Sequence, residues 1–134
     1  MRIIIAGSRI FDDYDFLRRK CCSIIGDLYD ELLDNNLNSN IEIISGQAKG
    51  TDKLGERFAK EFDFRIKLFP ANWESCGKSA GYKRNVEMSD YAKKDNGVLI
   101  AFWDEKSPGT KHMIDIAKQN KLRIFVIDYL QEGK

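Results

Sequence analysis

The sequence predicts an α/β protein built on a doubly wound parallel sheet of about five strands, with helices on both faces in three layers. Two observations lead to this prediction. Short aliphatic runs alternate along the chain with stretches of helical periodicity, a pattern typical of repeated βα units. The aliphatic runs are also nearly continuous, as expected of strands that are covered on both faces.

Five aliphatic runs are candidate strands. They occupy residues 3–5, 41–44, 66–69, 98–102 and 124–127. We predict the strand order 3-2-1-4-5, in which the chain winds outward in both directions from the first strand. Residues 35–40 are polar and predict a turn rather than a linker between domains.

Four stretches between the strands place apolar residues three and four positions apart, which predicts amphipathic helices. The first two are defined by Phe16, Leu17, Cys21, Ile24, Ile25, Leu28, Leu32 and Leu33, and then by Leu54, Phe58 and Phe62. The third covers residues 82–93 and the fourth residues 110–120. Asp12, Asp13 and Asp15 open the first helix, where negative charge suits the helix dipole.

Composition narrows the class of protein. At 134 residues the chain has the usual size of one domain, so we expect a single domain spanning residues 1–134. Lys and Arg number 22 against 21 Asp and Glu, a net charge of +1, so nucleic acid is not expected as a partner. The three cysteines and one histidine lack zinc-ligand spacing, and we expect no metal and no cofactor.

The cysteines and the apolar runs bear on where in the cell the protein is located. An odd, unpatterned set of cysteines points to a reducing environment. No charged leader precedes the first aliphatic run, and no run approaches the roughly 18 apolar residues that a membrane span requires. We therefore expect a cytoplasmic protein that does not enter a membrane.

Four glycine-rich or basic turns each follow one of the predicted strands. In an open parallel sheet such turns lie at one edge, where ligands bind outside the carboxyl ends of the strands. The turns are residues 7–9 (GSR), 45–52 (SGQAKGTD), 77–85 (GKSAGYKRN) and 107–110 (SPGT). We expect these four segments to meet in one crevice.

The turns carry the chemistry of an anion site. Unpaired N–H groups at a helix start attract phosphate or carboxylate, and we expect Thr51 to cap the second helix, an arrangement that Gly109 and Thr110 repeat. Charge-assisted hydrogen bonds, at about 1.5–3 kcal/mol, outweigh a helix dipole at about 0.3–1 kcal/mol. The basic residues in or beside the turns are Arg9, Lys49, Lys78, Lys83, Arg84 and Lys111. Alternatively, the glycines only end strands and start helices, as any α/β domain requires, and Lys83 is a solvated surface charge.

Several apparent motifs are set aside. Residues 77–79 (GKS) end like a P-loop but lack its first glycine, since that position is Asn72. The first turn lacks the three-glycine dinucleotide fingerprint. Cys76 and His112 could form a nucleophile and base, but no third, orienting group is evident. Of the two tryptophans that follow strands, we expect Trp73 rather than Trp103 to cover a purine ring, with packing over the sheet edge as the alternative.

The motifs GSR, SGQAKGTD, PANWE, GKSAGYKRN and a GT followed after two residues by Met resemble, in order and spacing, the YspA-like branch of the SLOG superfamily. The resemblance runs from Arg2 to about Ile127. It implies a Rossmann-like fold and a nucleotide or nucleotide-derived ligand. It also implies a homodimer or larger assembly and, for some members, a sensor role in bacterial stress or in conflict with phages and mobile elements.

The resemblance also implies a set of ligand-contacting residues. By position these are Gly7, Ser8, Arg9, Gly46, Gln47, Ala48, Lys49, Gly50, Thr51, Asp52, Lys78, Arg84, Asn85, Gly109 and Thr110, to which Trp73 is added for stacking. Related LOG-type phosphoribohydrolases use a glutamate in the motif PGGxGTxxE, where this chain has Met113. A thioether cannot replace that carboxylate.

Ligand binding is therefore the leading hypothesis. The alternative is a nucleotide N-glycosidase that uses another carboxylate, for which Asp52 is the candidate because it lies in a crevice turn. No other catalytic residue is assigned. A third hypothesis, single-stranded nucleic-acid binding by the basic turns, is disfavoured by the near-zero net charge.

Overall fold

A computed structural model describes residues 1–35 and 40–132, and its centre is a five-stranded sheet. The strands are β1 (Arg2–Gly7), β2 (Glu42–Ser45), β3 (Arg65–Leu68), β4 (Gly97–Trp103) and β5 (Arg123–Asp128). Their order is β3-β2-β1-β4-β5 and every neighbouring pair is parallel. The predicted order is confirmed. The predicted polar turn at residues 35–40 lies, except for its two ends, outside the described residues.

Helices cover both faces of this sheet. They are α1 (Tyr14–Asp34), α2 (Thr51–Glu61), the four-residue α3 (Trp73–Cys76), α4 (Ala80–Ala92), α5 (Pro108–Gln119) and α6 (Tyr129–Glu132), with a 3-10 turn at Gly77–Ser79. The four predicted helices correspond to α1, α2, α4 and α5, and each begins two or three residues earlier than its periodic apolar positions indicated. The α/β three-layer prediction is confirmed.

The continuous apolar runs are explained by two hydrophobic cores, one on each face of the sheet. In β1, Ile3 and Ile5 join the core beneath α1 and α2, whereas Ile4 and Ala6 join the core beneath α4 and α5. Successive side chains in a strand point to opposite faces. A central strand therefore needs an apolar residue at every position.

Strand β3 does not follow this pattern. Arg65, Lys67 and Leu68 are exposed, and Ile66 is only partly buried. The expectation that all five runs are covered on both faces is wrong here, because β3 is a short strand at the edge of the sheet with a single neighbour, β2. Such a strand tolerates charged side chains that a central strand does not.

Strands β1 and β4 end level with one another, and this fixes the place of the candidate site. Their register runs from Arg2 opposite Gly97 to Gly7 opposite Phe102. The connection from β1 to α1 includes Phe11, whose ring stacks on that of Phe102 with 5.2 Å between the ring centroids. It reaches α1 through Asp13, whose carboxylate accepts a hydrogen bond from the Phe16 N–H at 3.1 Å. The acidic opening predicted for α1 thus includes its N-cap.

Among the helices of residues 1–35 and 40–132, none combines the length and the apolar character that crossing a bilayer requires.

Candidate functional site

A cleft of about 460 Å³ opens at the carboxyl ends of the strands, where β1 and β4 lie side by side and the winding of the chain reverses. In doubly wound sheets this switch point is the usual place for a ligand. All four turns singled out in the sequence contribute to the lining of the cleft. Of the predicted site residues, those that line it are Gly7, Arg9, Ala48, Asp52, Trp73, Arg84, Asn85, Gly109 and Thr110.

The turn after β2 uses its backbone amides internally. The Gln47 N–H donates to Ser45 Oγ at 3.0 Å, and the Ala48 N–H donates to Asp52 Oδ2 at 3.1 Å. Gly46, Gln47 and Lys49 do not line the cleft. The turn therefore shapes one wall of the cleft, and the Gln47 and Ala48 amides are not free to cradle a phosphate as the glycine pattern indicated.

Gly50 and Thr51 join this turn to the end of β1. Gly50 has a φ of +75°, and a Cβ there would lie 2.4 Å from the Arg9 carbonyl oxygen. The Thr51 hydroxyl donates to the Ser8 carbonyl at 2.9 Å, and the Thr51 N–H donates to the same oxygen at 3.2 Å. The prediction that Thr51 caps α2 is wrong, because Gly50 occupies the N-cap and the buried Thr51 side chain faces Ser8 instead. Neither residue lines the cleft.

Arg84 enters the cleft from α4 and lies against the turn after β2. Its Nη1 donates to the Gly46 carbonyl at 2.6 Å, and its Nε donates to Asn85 Oδ1 at 3.3 Å. Burial lowers the pKa of the Arg84 guanidinium, the charge of Asp52 opposes that shift, and the charge of Arg9 adds to it. Arg9 and Arg84, called here the Arg pair, thus place two interacting like charges in the lining of the cleft.

Asp52 is the buried partner of the Arg pair. Its side chain is 4% exposed. Burial raises the pKa of the Asp52 carboxyl from 3.8 to about 6, against the Ala48 hydrogen bond and the charges of Arg84 and Arg9, which lower it. Glu56, one turn along α2, also raises it. Asp52 lines the cleft and, with this pKa, changes protonation state just below neutral pH.

Asn85 connects α4 to the start of α5. Its Nδ2 donates to the Gly109 carbonyl at 3.2 Å and lies 3.2 Å from His112 Nδ1. Because an amide nitrogen only donates, the His112 Nδ1 accepts and the neutral ring carries its proton on Nε2. Burial lowers the pKa of His112, with Asp115 opposing, which favours this neutral form.

The hypothesis of a Cys76 and His112 pair gains no support from these contacts. The Cys76 sulfur lies 3.5 Å from Lys83 Nζ. His112 instead packs against Tyr82, with 4.5 Å between ring centroids, in addition to its contact with Asn85. Neither side chain lines the cleft.

A chain of hydroxyl groups links β1 to the turn after β4. Ser107 Oγ donates to Asp104 Oδ1 at 2.9 Å, and Ser8 Oγ lies 3.1 Å from Ser107 Oγ. Since the single proton of the Ser107 hydroxyl goes to Asp104, the Ser8 hydroxyl donates to Ser107. Ser8 is buried and does not line the cleft, so this predicted contact residue is connected to the cleft through its hydrogen bond with Ser107.

Asp104 is the second carboxylate of the cleft, and the sequence prediction missed it. Partial burial raises the pKa of this carboxyl, but hydrogen bonds from Ser107 and Lys106 outweigh that effect and leave the pKa below its usual value. Asp104 directly follows β4. The rule that ligands lie at strand ends would have included it if the fourth turn had been read from the last residue of β4 rather than from Ser107.

The mouth of the cleft is aromatic and its floor is apolar. Of the residues that line the cleft, Trp73 is 52% exposed, Ile10 is 80% exposed and Tyr82 is 45% exposed. The floor includes Met88 and Met113, both buried. Tyr82 and Met88 were within reach of sequence reasoning, because they lie in or next to the third turn on α4.

The two tryptophans occupy different positions relative to the cleft. Trp73 lines the cleft, and a Cβ on Gly81 would lie 3.5 Å from its Cη2 atom. Trp103 is absent from the lining, and its Nε1 donates to the Ser107 carbonyl at 3.1 Å. Lys78 lies in the 3-10 turn, but its side chain is outside the described part of the structure.

No group of three or more His, Cys, Asp or Glu side chains that could hold a metal ion is found among the residues that the structure describes.

The parallel sheet, its strand order and the cleft at the switch point define a Rossmann-like domain. The chain belongs to the YspA, cpYpsA-related SLOG family, whose family model (YAcAr) matches residues 1–75. The resemblance inferred from the motifs is thereby confirmed.

The chain is 30% identical over 125 residues to the "Gene 61 protein" of Mycobacterium phage D29, which covers 88% of this chain and 89% of that protein. No solved structure matches the chain significantly.

Proposed function

We propose that the cleft binds a phosphorylated nucleoside or a nucleotide-derived small molecule. The observation that carries the proposal is the convergence of Arg9 and Arg84 on one cleft at the switch point of the sheet. Two guanidinium groups that repel one another are stabilised by an anion placed between them. A planar guanidinium also suits the geometry of phosphate oxygens better than an ammonium does.

The remainder of the cleft suits the nucleoside. Its volume of about 460 Å³ lies within the range of roughly 300–1,000 Å³ typical of small-molecule sites. The exposed ring of Trp73 and the neighbouring Tyr82 offer stacking surfaces for a base at the mouth. Backbone amides have a smaller part than the glycine-rich turns indicated, so the Arg pair supplies most of the anion recognition.

A binding role, as in a ligand sensor, fits the floor of the cleft. The position held by the catalytic glutamate in LOG-type enzymes is Met113, which is buried in this chain. The relative in a mycobacterial phage fits a role in conflict between phage and host. The cytoplasmic location, the single domain over residues 1–134 and the homodimer or larger assembly stay predictions.

Thermal-shift titration tests the proposal with a panel of nucleoside monophosphates, cyclic dinucleotides and ADP-ribose derivatives. We expect at least one of them to stabilise the wild type, and Arg84→Ala or Arg9→Ala to abolish the ligand-induced shift. Arg123→Ala is the matched control, because Arg123 forms its ion pair with Glu31 outside the cleft and should leave the shift unchanged. An identical shift in wild type and both cleft variants would contradict the proposal.

One observation favours a second candidate, a nucleotide N-glycosidase. Asp52 lines the cleft, and its carboxyl has a pKa of about 6 because of its burial. A carboxyl with a raised pKa is suited to general acid catalysis near neutral pH. Release of free base from nucleoside monophosphates tests this function. Absence of release from a wild type shown to bind excludes the function, and release that persists in Asp52→Asn excludes Asp52 as its general acid.

A further inference from the structure

We infer that Asp104 makes the cleft selective for ribonucleotides with free sugar hydroxyl groups, against deoxyribonucleotides and against nucleotides that carry a second phosphate on the sugar. The inference rests on the proposed function, because it assumes that a nucleotide binds with its 5′-phosphate at the Arg pair. It assigns the recognition of the sugar to Asp104, which lines the same cleft.

The two oxygens of the Asp104 carboxylate differ in their hydrogen bonds. Oδ1 accepts three hydrogen bonds from the turn after β4: from the Lys106 N–H at 2.9 Å, the Ser107 N–H at 2.8 Å and the Ser107 hydroxyl at 2.9 Å. These three donors saturate Oδ1 and fix the orientation of the carboxylate in the lining of the cleft. Oδ2 is the atom left to accept from a ligand.

A single, fixed carboxylate oxygen selects a particular kind of donor. It cannot form the two parallel hydrogen bonds that the edge of guanine would make with a whole carboxylate. It repels a phosphate. Two adjacent hydroxyl groups, as on the ribose ring, can both donate to one anionic oxygen, and the lowered pKa of Asp104 keeps that oxygen charged at neutral pH.

The position of Asp104 relative to the Arg pair also fits a sugar. Ser8, the residue before Arg9, donates to Ser107, and Ser107 donates to Asp104. Asp104 is therefore two hydrogen bonds away from the chain neighbour of one phosphate-binding arginine. In a nucleoside 5′-phosphate the ribose lies directly next to the phosphate, so both groups can be met in one pose.

Isothermal titration of paired nucleotides tests the inference. The probes are the ribo, 2′-deoxy and 3′-deoxy forms of AMP, GMP, CMP and UMP, together with adenosine 2′,5′-bisphosphate. For each base that binds, we expect the wild type to hold the ribo form roughly 10- to 100-fold more tightly than the deoxy forms, the value of a hydrogen bond to a charged group. Asp104→Asn should reduce that preference to less than about threefold and admit the bisphosphate.

Asp128→Asn is the matched control. Asp128 ends β5 and accepts through Oδ1 from the Leu130 N–H at 3.1 Å and the Gln131 N–H at 3.3 Å, the same kind of turn outside the cleft. It should keep the ribose preference. The amide of Asp104→Asn retains an Oδ1 acceptor for the turn, so we expect the fold to survive. Urea denaturation of both variants checks this.

Each outcome of the titration has a distinct meaning. Equal binding of ribo and deoxy forms by the wild type, with binding still lost in Arg84→Ala, overturns the role of Asp104 and leaves the proposed function intact. A ribose preference that persists in Asp104→Asn also overturns the role of Asp104. Failure of every nucleotide to bind the wild type overturns the proposed function for nucleoside monophosphates and the inference with it.

Discussion

Arg84 and Asp52 approach Gly46 so closely that no side chain fits between them. A Cβ on Gly46 would lie 2.9 Å from the Cδ and Nε atoms of Arg84 and 2.9 Å from Oδ2 of Asp52. The absence of a side chain at Gly46 thus lets a buried carboxyl and a guanidinium share one wall of the cleft.

Gly46→Ala should therefore disturb both side chains at once. We expect the free energy of unfolding to fall by about 1–3 kcal/mol, the usual cost of overpacking, and the binding of any cleft ligand to weaken because Arg84 must move. Gly26→Ala is the control. Gly26 is an exposed residue of α1 with open space around its Cβ position, and alanine should raise stability by about 0.5–1 kcal/mol. Urea denaturation measures both, and equal effects of the two variants would contradict the steric account.

Asp52 should make the stability of the protein depend on pH. Its pKa is raised on folding from 3.8 to about 6, so its contribution is fully present below about pH 4 and is lost as the pH rises through about 6. Relative to Asp52→Asn, the free energy of unfolding of the wild type should fall by up to about 3 kcal/mol as the pH rises from about 4 to about 7. Urea denaturation at a series of pH values gives this difference. A difference between the two proteins that is constant with pH would show that the carboxyl titrates normally.

The Arg pair should hold the pKa of Asp52 below the value that burial alone would impose. Arg84→Gln removes the stronger of the two cationic influences and Arg9→Gln the weaker. We expect both variants to raise the pKa of Asp52, and Arg84→Gln to raise it more. Titration of the Asp52 carboxyl carbon by NMR measures the shifts. The reverse order, or no change in either variant, would mean that the guanidinium groups do not face Asp52.

Thr51 should contribute to stability without contributing to binding. Thr51→Val removes the hydroxyl that donates to the Ser8 carbonyl at 2.9 Å, and we expect a loss of about 0.5–1.5 kcal/mol in the free energy of unfolding. Thr51→Ser keeps the donor and should recover most of it. Ligand affinity, measured on the folded protein, should be the same in all three. If only Thr51→Val lost affinity, the Thr51 hydroxyl would have to contribute to ligand binding.

The sequence predicted the architecture because burial leaves a periodic signal. Central strands such as β1 need apolar residues toward both cores, and helices such as α1 show their apolar stripe. The exposed edge strand β3 was misread because Ile66, Leu68 and Phe69 were taken as a continuous buried run, although Arg65 and Lys67 alternate with the first two of them. A short strand does not show in its sequence how many neighbours it has.

The candidate site was predicted at the level of segments and less well at the level of atoms. The glycine-rich turns indicated where the chain approaches a cleft. They did not indicate that the side chains of Ser45 and Asp52 would accept hydrogen bonds from the backbone amides of Gln47 and Ala48. The buried position of Thr51 depends on contact with Ser8, 43 residues away. Such pairings between distant segments have no signature in the spacing of either one.

The exposed outer margin of β3 has a consequence for how the protein behaves at high concentration. Its unpaired backbone groups form a template that an extended chain from another molecule could join. Arg65 and Lys67 are two exposed positive charges on this strand, two residues apart and therefore on the same face of the sheet. Like charges facing one another disfavour the joining of two such margins, so neutralising both residues should promote fibrous aggregation in a protein whose fold is otherwise unchanged.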